Sequence, residues 1–168
     1  MSNKAYQKRR QEQFKKSVRS YWRFGFFLFL KMPIALLAGL RIRSIDDAHC
    51  TCSLPFKWLS QNPFRSIYFA TQSMAAEMST GALGLMKVQG HTPGVSMLVA
   101  NMHGVFHKKA TERIFFTCNE GEKIDAAIQR TIETGEGVEV TVHSEGKTKD
   151  GILISTFDFT WSFKVRSK

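Results

Sequence analysis

The residue with most chemical potential is a single acid in an otherwise uncharged stretch. From Ser66 to Met86 the chain runs 21 residues with one charged side chain, Glu77. Ala, Gly, Ser, Thr and Met dominate, too polar and too rich in small residues for a membrane span. The pattern predicts a helix buried on nearly all sides. Ala70, Ala75, Ala76, Gly81, Ala82 and Gly84 let other backbone approach it. A carboxylate in such a helix is costly, so burial raises its pKa toward the range of a general base. There it can activate water or attack a carbonyl directly. The alternative is a structural carboxylate bonded to backbone or to an arginine.

The start of that helix offers a second group. Free backbone N–H groups near Phe69 and Ala70 can hold a developing oxyanion, or simply donate to water or a loop carbonyl. Tyr68 can donate to a substrate carbonyl or serve as packing. Asn62 can orient a nucleophile or water, or act as the turn residue before Pro63. Met74, Met78, Leu83 and Met86 read as core, with an acyl tunnel as the alternative.

Other chemistries find little support. His91, His103, His107 and His143 show no metal-ligand spacing with acids or cysteines, so no metal is assigned. Cys50, Cys52 and Cys118 are too few and too oddly spaced for a disulfide framework or a zinc site. They read as small apolar strand residues in a reducing compartment, which points to a cytoplasmic location. No phosphate loop or dinucleotide fingerprint is present.

The elements that must position these groups follow from periodicity. Residues 5–31 predict one helix, with Phe14, Val18, Tyr21 and Trp22 at helical spacing and Pro33 ending it. Residues 41–46 and 49–56 predict two short strands about an Asp46-Asp47 turn, and 57–64 a loop. Residues 95–107 predict a long strand, apolar on both faces, and 113–119 another. Ile124, Ala127, Ile128, Thr131 and Ile132 mark an amphipathic helix over 121–134. Val138, Val140 and Val142 alternate with polar residues, as do Phe157, Phe159, Trp161, Phe163 and Val165. Both runs predict half-buried antiparallel strands, joined by a polar turn from Glu145 to Gly151. One sheet around one helix is the economical packing of this order, an α+β fold.

Of 168 residues, 43% are hydrophobic, enough for one domain. The net charge of +10 is uneven: residues 1–23 carry eight basic residues and one acid. The expected division is a basic N-terminal helical extension, 1–32, and a folded domain, 33–168. The basic arm reads as solvated surface, with anionic lipid or nucleic acid as charge-matched alternatives and no specific nucleic acid implied. Phe24–Leu40 is strongly apolar, but Lys31 and Pro33 interrupt it and it is shorter than the roughly 20 residues of a span. A docking helix is expected, with peripheral membrane contact through 1–31 as the alternative.

The run Leu54-Pro55-Phe56, then Asn62-Pro63-Phe64-Arg65-Ser66-Ile67-Tyr68-Phe69-Ala70, then Glu77, resembles the hotdog-fold acyl-CoA thioesterases. It is most similar to their uncharacterised, phenylacetate-thioesterase-like branch. In that family a His-Gly-Gly triplet opens the central helix, with an acid nine residues after the His. Here Tyr68-Phe69-Ala70 stands in place of the triplet, Glu77 in place of the acid, and Arg65 where a small residue is common. The resemblance covers residues 33–166. It implies a long central helix wrapped by about six antiparallel strands, and hydrolysis of an acyl-CoA thioester with Glu77 as base or nucleophile. It further implies a Phe69–Ala70 oxyanion site, a homodimer or tetramer, and no metal or redox cofactor. CoA phosphates would meet Arg65, Lys108, Lys109 and Arg113; acyl carrier protein is the other thiol carrier. Two rival readings use the same residues: a non-catalytic acyl-CoA or fatty-acid binder, and a membrane-surface interaction protein.

Overall fold

The structure, a computed structural model, describes residues 3–166. Three helices come first: α1 (Asn3–Arg19), α2 (Tyr21–Lys31) and α3 (Pro33–Ala38). Strands β1 (Arg41–Ile45) and β2 (Cys50–Leu54) follow, then a single 3-10 turn (Trp58–Ser60) and the central helix α4 (Phe69–Lys87). The rest is β3 (Val95–Phe106), β4 (Ile114–Cys118), α5 (Gly121–Thr134), β5 (Val138–Lys147) and β6 (Leu153–Val165).

All six strands form one antiparallel sheet in the order β1-β2-β4-β5-β6-β3. The sheet curls over α4, which touches β2, β4, β5, β6 and α5. Alternation along β6 drives this: Phe157, Phe159, Trp161 and Phe163 turn inward and are buried, while Asp158, Thr160 and Ser162 turn outward. On α4, Ala75, Ala76, Leu83 and Met86 are buried against them. The inward polar groups are paired. Ser79 Oγ lies 2.8 Å from Ser144 Oγ, and Trp161 Nε1 donates to Thr80 Oγ1 at 3.0 Å. Such pairing removes most of the cost of burying these groups. Cys50, Cys52 and Cys118 are free, buried strand residues, as expected from their spacing.

Four expectations are corrected. The single helix over 5–31 is two helices, broken at Ser20, whose φ of −77° and ψ of 119° are extended. Phe14 and Val18 therefore pack inward, whereas Tyr21 and Trp22 stand outside on a helix with a new direction. The central helix starts at Phe69, because Ile67 pairs with Gln61, which keeps Ile67 and Tyr68 out of the helix. The polar turn starts after Lys147, since pairing between β5 and β6 continues through Lys147 and Leu153. Finally, β3 pairs on one side only, with β6, so much of its apolar surface is exposed rather than enclosed.

The N-terminal helices dock on the sheet end near β1. Lys15 pairs with Asp47 at 2.7 Å, and the Arg19 guanidinium donates to Ile45 O at 2.5 Å. Phe24 and Leu28 of α2 and Ala35 and Ala38 of α3 are buried in the same core as α4. Leu28 has no exposed surface. Leu28→Ala is expected to lower stability by roughly 3 kcal/mol, the usual cost of emptying a buried leucine site. Phe26→Ala, one half-turn away on the exposed side, is expected to change it by less than about 0.5 kcal/mol. Denaturant melts of the two variants check this docking.

Candidate functional site

The loop before α4 is a built turn. Asn62 Oδ1 accepts from the N–H groups of Phe64 and Ser66 at 3.0 and 3.3 Å and from Ser66 Oγ at 3.2 Å. The side-chain oxygen of Asn62 is thus engaged by its own turn. Arg65 sits in this turn at φ 56°, the one non-glycine positive φ among the described residues. Two backbone bonds fix the turn's exit. Ile67 N donates to Ala110 O and Tyr68 N to Ser60 O, both at 2.8 Å.

These anchors place Tyr68 as the N-cap of α4, with its carbonyl accepting from the N–H groups of Thr71 and Gln72. The next two N–H groups, those of Phe69 and Ala70, have no acceptor among the described residues. They point out of the helix end with its positive dipole behind them. Gln72 reinforces the junction from below. It is buried, donates to Ile67 O at 3.1 Å and accepts from Ser155 Oγ at 2.9 Å. Sequence reasoning missed Gln72. Its signal was a lone amide in a helix of small and apolar residues, which is costly unless partnered.

Two clefts meet at Phe69. One, of about 600 Å³, is lined by Asn62, Tyr68, Phe69, Phe106, Lys108 and Lys109, among others. The other, of about 410 Å³, is lined by Phe69, Ala70, Met74, Glu77, Met102 and Phe159, among others. The Phe69 ring stands between them, edge-on to Tyr68 at 4.8 Å and to Phe106 at 6.4 Å. The structure therefore gathers Asn62, Tyr68, Lys108 and Lys109 around one cleft and sets Glu77 in its neighbour. Arg65 and Arg113 are exposed and line neither cleft. Of the methionines, Met74 lines the Glu77 cleft, while Met78 and Met86 are buried.

Glu77 is half-buried against apolar surface. A Cβ built on Gly81 would lie 3.0 Å from both Glu77 Oε1 and the Trp161 ring, so any larger residue would press on one or both of them. The Trp161 N–H already serves Thr80 and offers nothing to the carboxylate. Burial pushes the Glu77 pKa from its ordinary 4.5 to about 7.

A family model described as a domain of unknown function, DUF4442, matches residues 20–163. The chain belongs to this family. No curated protein matches the sequence. Among solved structures, a Pseudomonas aeruginosa protein described as a probable thioesterase is 16% identical, with a TM-score of 0.74 over 89% of this chain and 99% of that one. A Chlorobaculum tepidum protein of unknown function is 14% identical, with a TM-score of 0.72 over 93% and 94%. A Haemophilus influenzae thioesterase is 10% identical, with a TM-score of 0.65 over 88% and 93%. At such identities the likeness is one of fold, and this DUF4442 chain has the hotdog fold expected from its residues.

The raised Glu77 pKa has a signed consequence. A carboxyl whose folded pKa exceeds its unfolded one favours the fold fully below pH 4.5, and that support is lost as pH rises through about 7. The loss is on the order of 3 kcal/mol from the pKa difference alone. Glu77→Gln is expected to match the native stability below pH 4.5 and to exceed it by a growing margin up to pH 8. Denaturant melts of both proteins across that range check the burial of this carboxyl.

Proposed function

We propose that this protein hydrolyses an acyl thioester in the paired clefts around Phe69. The observation carrying this reading is the combination on one helix of Glu77, poised near neutral pH, with two unpartnered amides at the N-terminus. The Phe69 and Ala70 N–H groups would receive the thioester oxygen and stabilise its negative charge in the tetrahedral intermediate. Ionised Glu77 would take a proton from water, and the hydroxide would attack the carbonyl carbon. Collapse of the intermediate would break the C–S bond, and the departing thiolate would recover the proton from Glu77.

Helical rise favours the base role over direct attack. Ala70 and Glu77 are seven residues apart, which is about 10 Å along the axis. That span accommodates a carbonyl and a water in line better than a carbonyl alone. The apolar walls of the Glu77 cleft (Met74, Val99, Met102, Phe159) suit an acyl group. Lys108 and Lys109 at the mouth of the larger cleft suit the phosphates of a CoA-type carrier. The thioesterase descriptions of the Pseudomonas and Haemophilus neighbours lend the reading further support.

A homodimer belongs to this proposal. The 12-residue strand β3 lies at the sheet edge, and Leu98 on it is 70% exposed. A long, flat, apolar edge is a template for pairing with a second strand. Pairing two copies there would wall the Glu77 cleft, which Val99 and Met102 of β3 border.

Thiol release from a panel of short, long and aromatic acyl-CoAs tests the proposal. Wild type is expected to turn over, and Glu77→Gln to lose at least about a hundredfold in kcat, within the usual range for a general base. Folded protein that binds a non-hydrolysable thioester analogue without turning over any substrate would sink the enzyme reading in favour of a binding protein. In that case Phe69, standing where the two clefts meet, becomes the natural obstruction. Lys108→Glu with Lys109→Glu is expected to raise KM by about tenfold with kcat nearly unchanged, since lost phosphate contacts weaken ground-state and transition-state binding alike.

A further inference from the structure

The helix α2 carries large apolar side chains on the face that points away from the core. Phe24 and Leu28 mark its buried face. At 100° per residue the opposite face is centred on Phe26, with Trp22, Phe29 and Leu30 around it. Trp22 is 82% exposed and Phe26 64% exposed. The next helix continues the surface, since α3 touches α2 and exposes Ile34 and Leu37. The 3-10 turn touches α3 in its turn and presents Trp58, which is 80% exposed. Two of the three tryptophans in the chain thus stand in solvent on one end of the domain.

The charges carried by α2, α3 and β1 have one sign. From residue 13 to residue 45 the chain holds seven basic residues and no acid. Arg23 borders the apolar face on α2 itself, Lys31 ends that helix, and Arg41 stacks over the Tyr21 ring at its start at 4.7 Å. A second copy of this chain would bring the same cations against them, which disfavours self-association through this face. Nor can the helix cross a bilayer: none among the described residues is long and apolar enough. An apolar face centred on Phe26, with Trp22 and Phe29 beside it and only cations on its own helices, fits the interface of an anionic bilayer.

We propose that the α2–α3 face docks the protein on the surface of membranes containing anionic lipids. Both helices lie in the plane of the interface, with Trp22, Phe26 and Phe29 inserted below the headgroups. Arg23 lies at phosphate level, and Lys31 and Arg41 at the two ends of α2 add long-range attraction to the anionic surface. The basic arm of α1 is then an auxiliary attraction rather than the anchor. This proposal is independent of the thioesterase reading, although it would bring the clefts close to a source of acyl chains.

Sedimentation of full-length protein with phosphatidylcholine–phosphatidylglycerol vesicles, against phosphatidylcholine alone, tests it. Wild type is expected to pellet with the anionic vesicles, with a blue shift of tryptophan emission. Trp22→Ser with Phe26→Ser is expected to weaken that binding by more than about tenfold, because two exposed aromatics no longer leave water. Its melting temperature should stay native, since neither side chain packs in the core. Arg23→Glu with Lys31→Glu is expected to remove the preference for anionic vesicles. Wild-type protein that stays in the supernatant at low salt overturns the proposal. So does pelleting that survives in the Trp22/Phe26 variant. A drop in solution mass in that variant, without change in vesicle binding, would assign the face to contact between copies and overturn it equally.

Discussion

Everything in this molecule is arranged around the enclosure of α4. A helix wrapped by a sheet must let strands come close on several sides, so it is built from Ala, Gly, Ser and Thr where the sheet touches it. Gly81 shows the constraint beside the acid, because the Trp161 ring and the Glu77 carboxylate both come within 3.0 Å of where its Cβ would be. The same crowding that lets the large aromatics of β6 fill the core strips water from Glu77. Packing and the candidate chemistry are therefore one effect: tighten the wrap and the acid becomes a better proton acceptor near neutral pH, at a cost to the fold.

Much of this was legible in the sequence. The lone charge between Ser66 and Met86 located both the buried helix and its acid. The 2-residue alternation of Phe157, Phe159, Trp161 and Phe163 marked β6 and its inward face. The helix over 121–134 was read to the residue, because its apolar stripe at 124, 127, 128, 131 and 132 is uninterrupted and Gly135 ends it. What stayed hidden depended on partners distant in the chain. Nothing local marks Ser20 as a break, since the turn serves to bring Phe24 and Leu28 onto the core. Gln72 gains its meaning only from Ile67 and Ser155. The exposure of β3 follows from its place at the end of the strand order, which no periodicity reports.

Two of the apolar surfaces uncovered among the described residues differ in kind. Along β3 the unpaired groups include backbone N–H and C=O on the strand's open edge, which another strand satisfies well. On α2 the backbone between the helix ends bonds within the helix, and what its outer face exposes is side chain. A strand edge selects a partner by register, whereas an aromatic helix face accepts any apolar medium of the right depth. The charge around each follows suit. β3 is bordered by few charges, while α2 sits among cations.

The departure from the His-Gly-Gly triplet can be weighed in the same physical terms. Glycine at the helix start lets a substrate carbonyl approach the amides closely, yet the amides themselves need no glycine. Phe69 and Ala70 occupy ordinary helical backbone, and their N–H groups are as unpartnered as any first-turn pair. What changes is access. The Phe69 side chain is about half exposed and lies between the two clefts, so any substrate reaching from Lys108 to Glu77 must pass it. A rotation about its first side-chain torsion is the smallest motion that opens this path, and exposed side chains make such rotations within nanoseconds. In the proposed reaction the electrostatic half of the site would thus be intact and its gate a single ring.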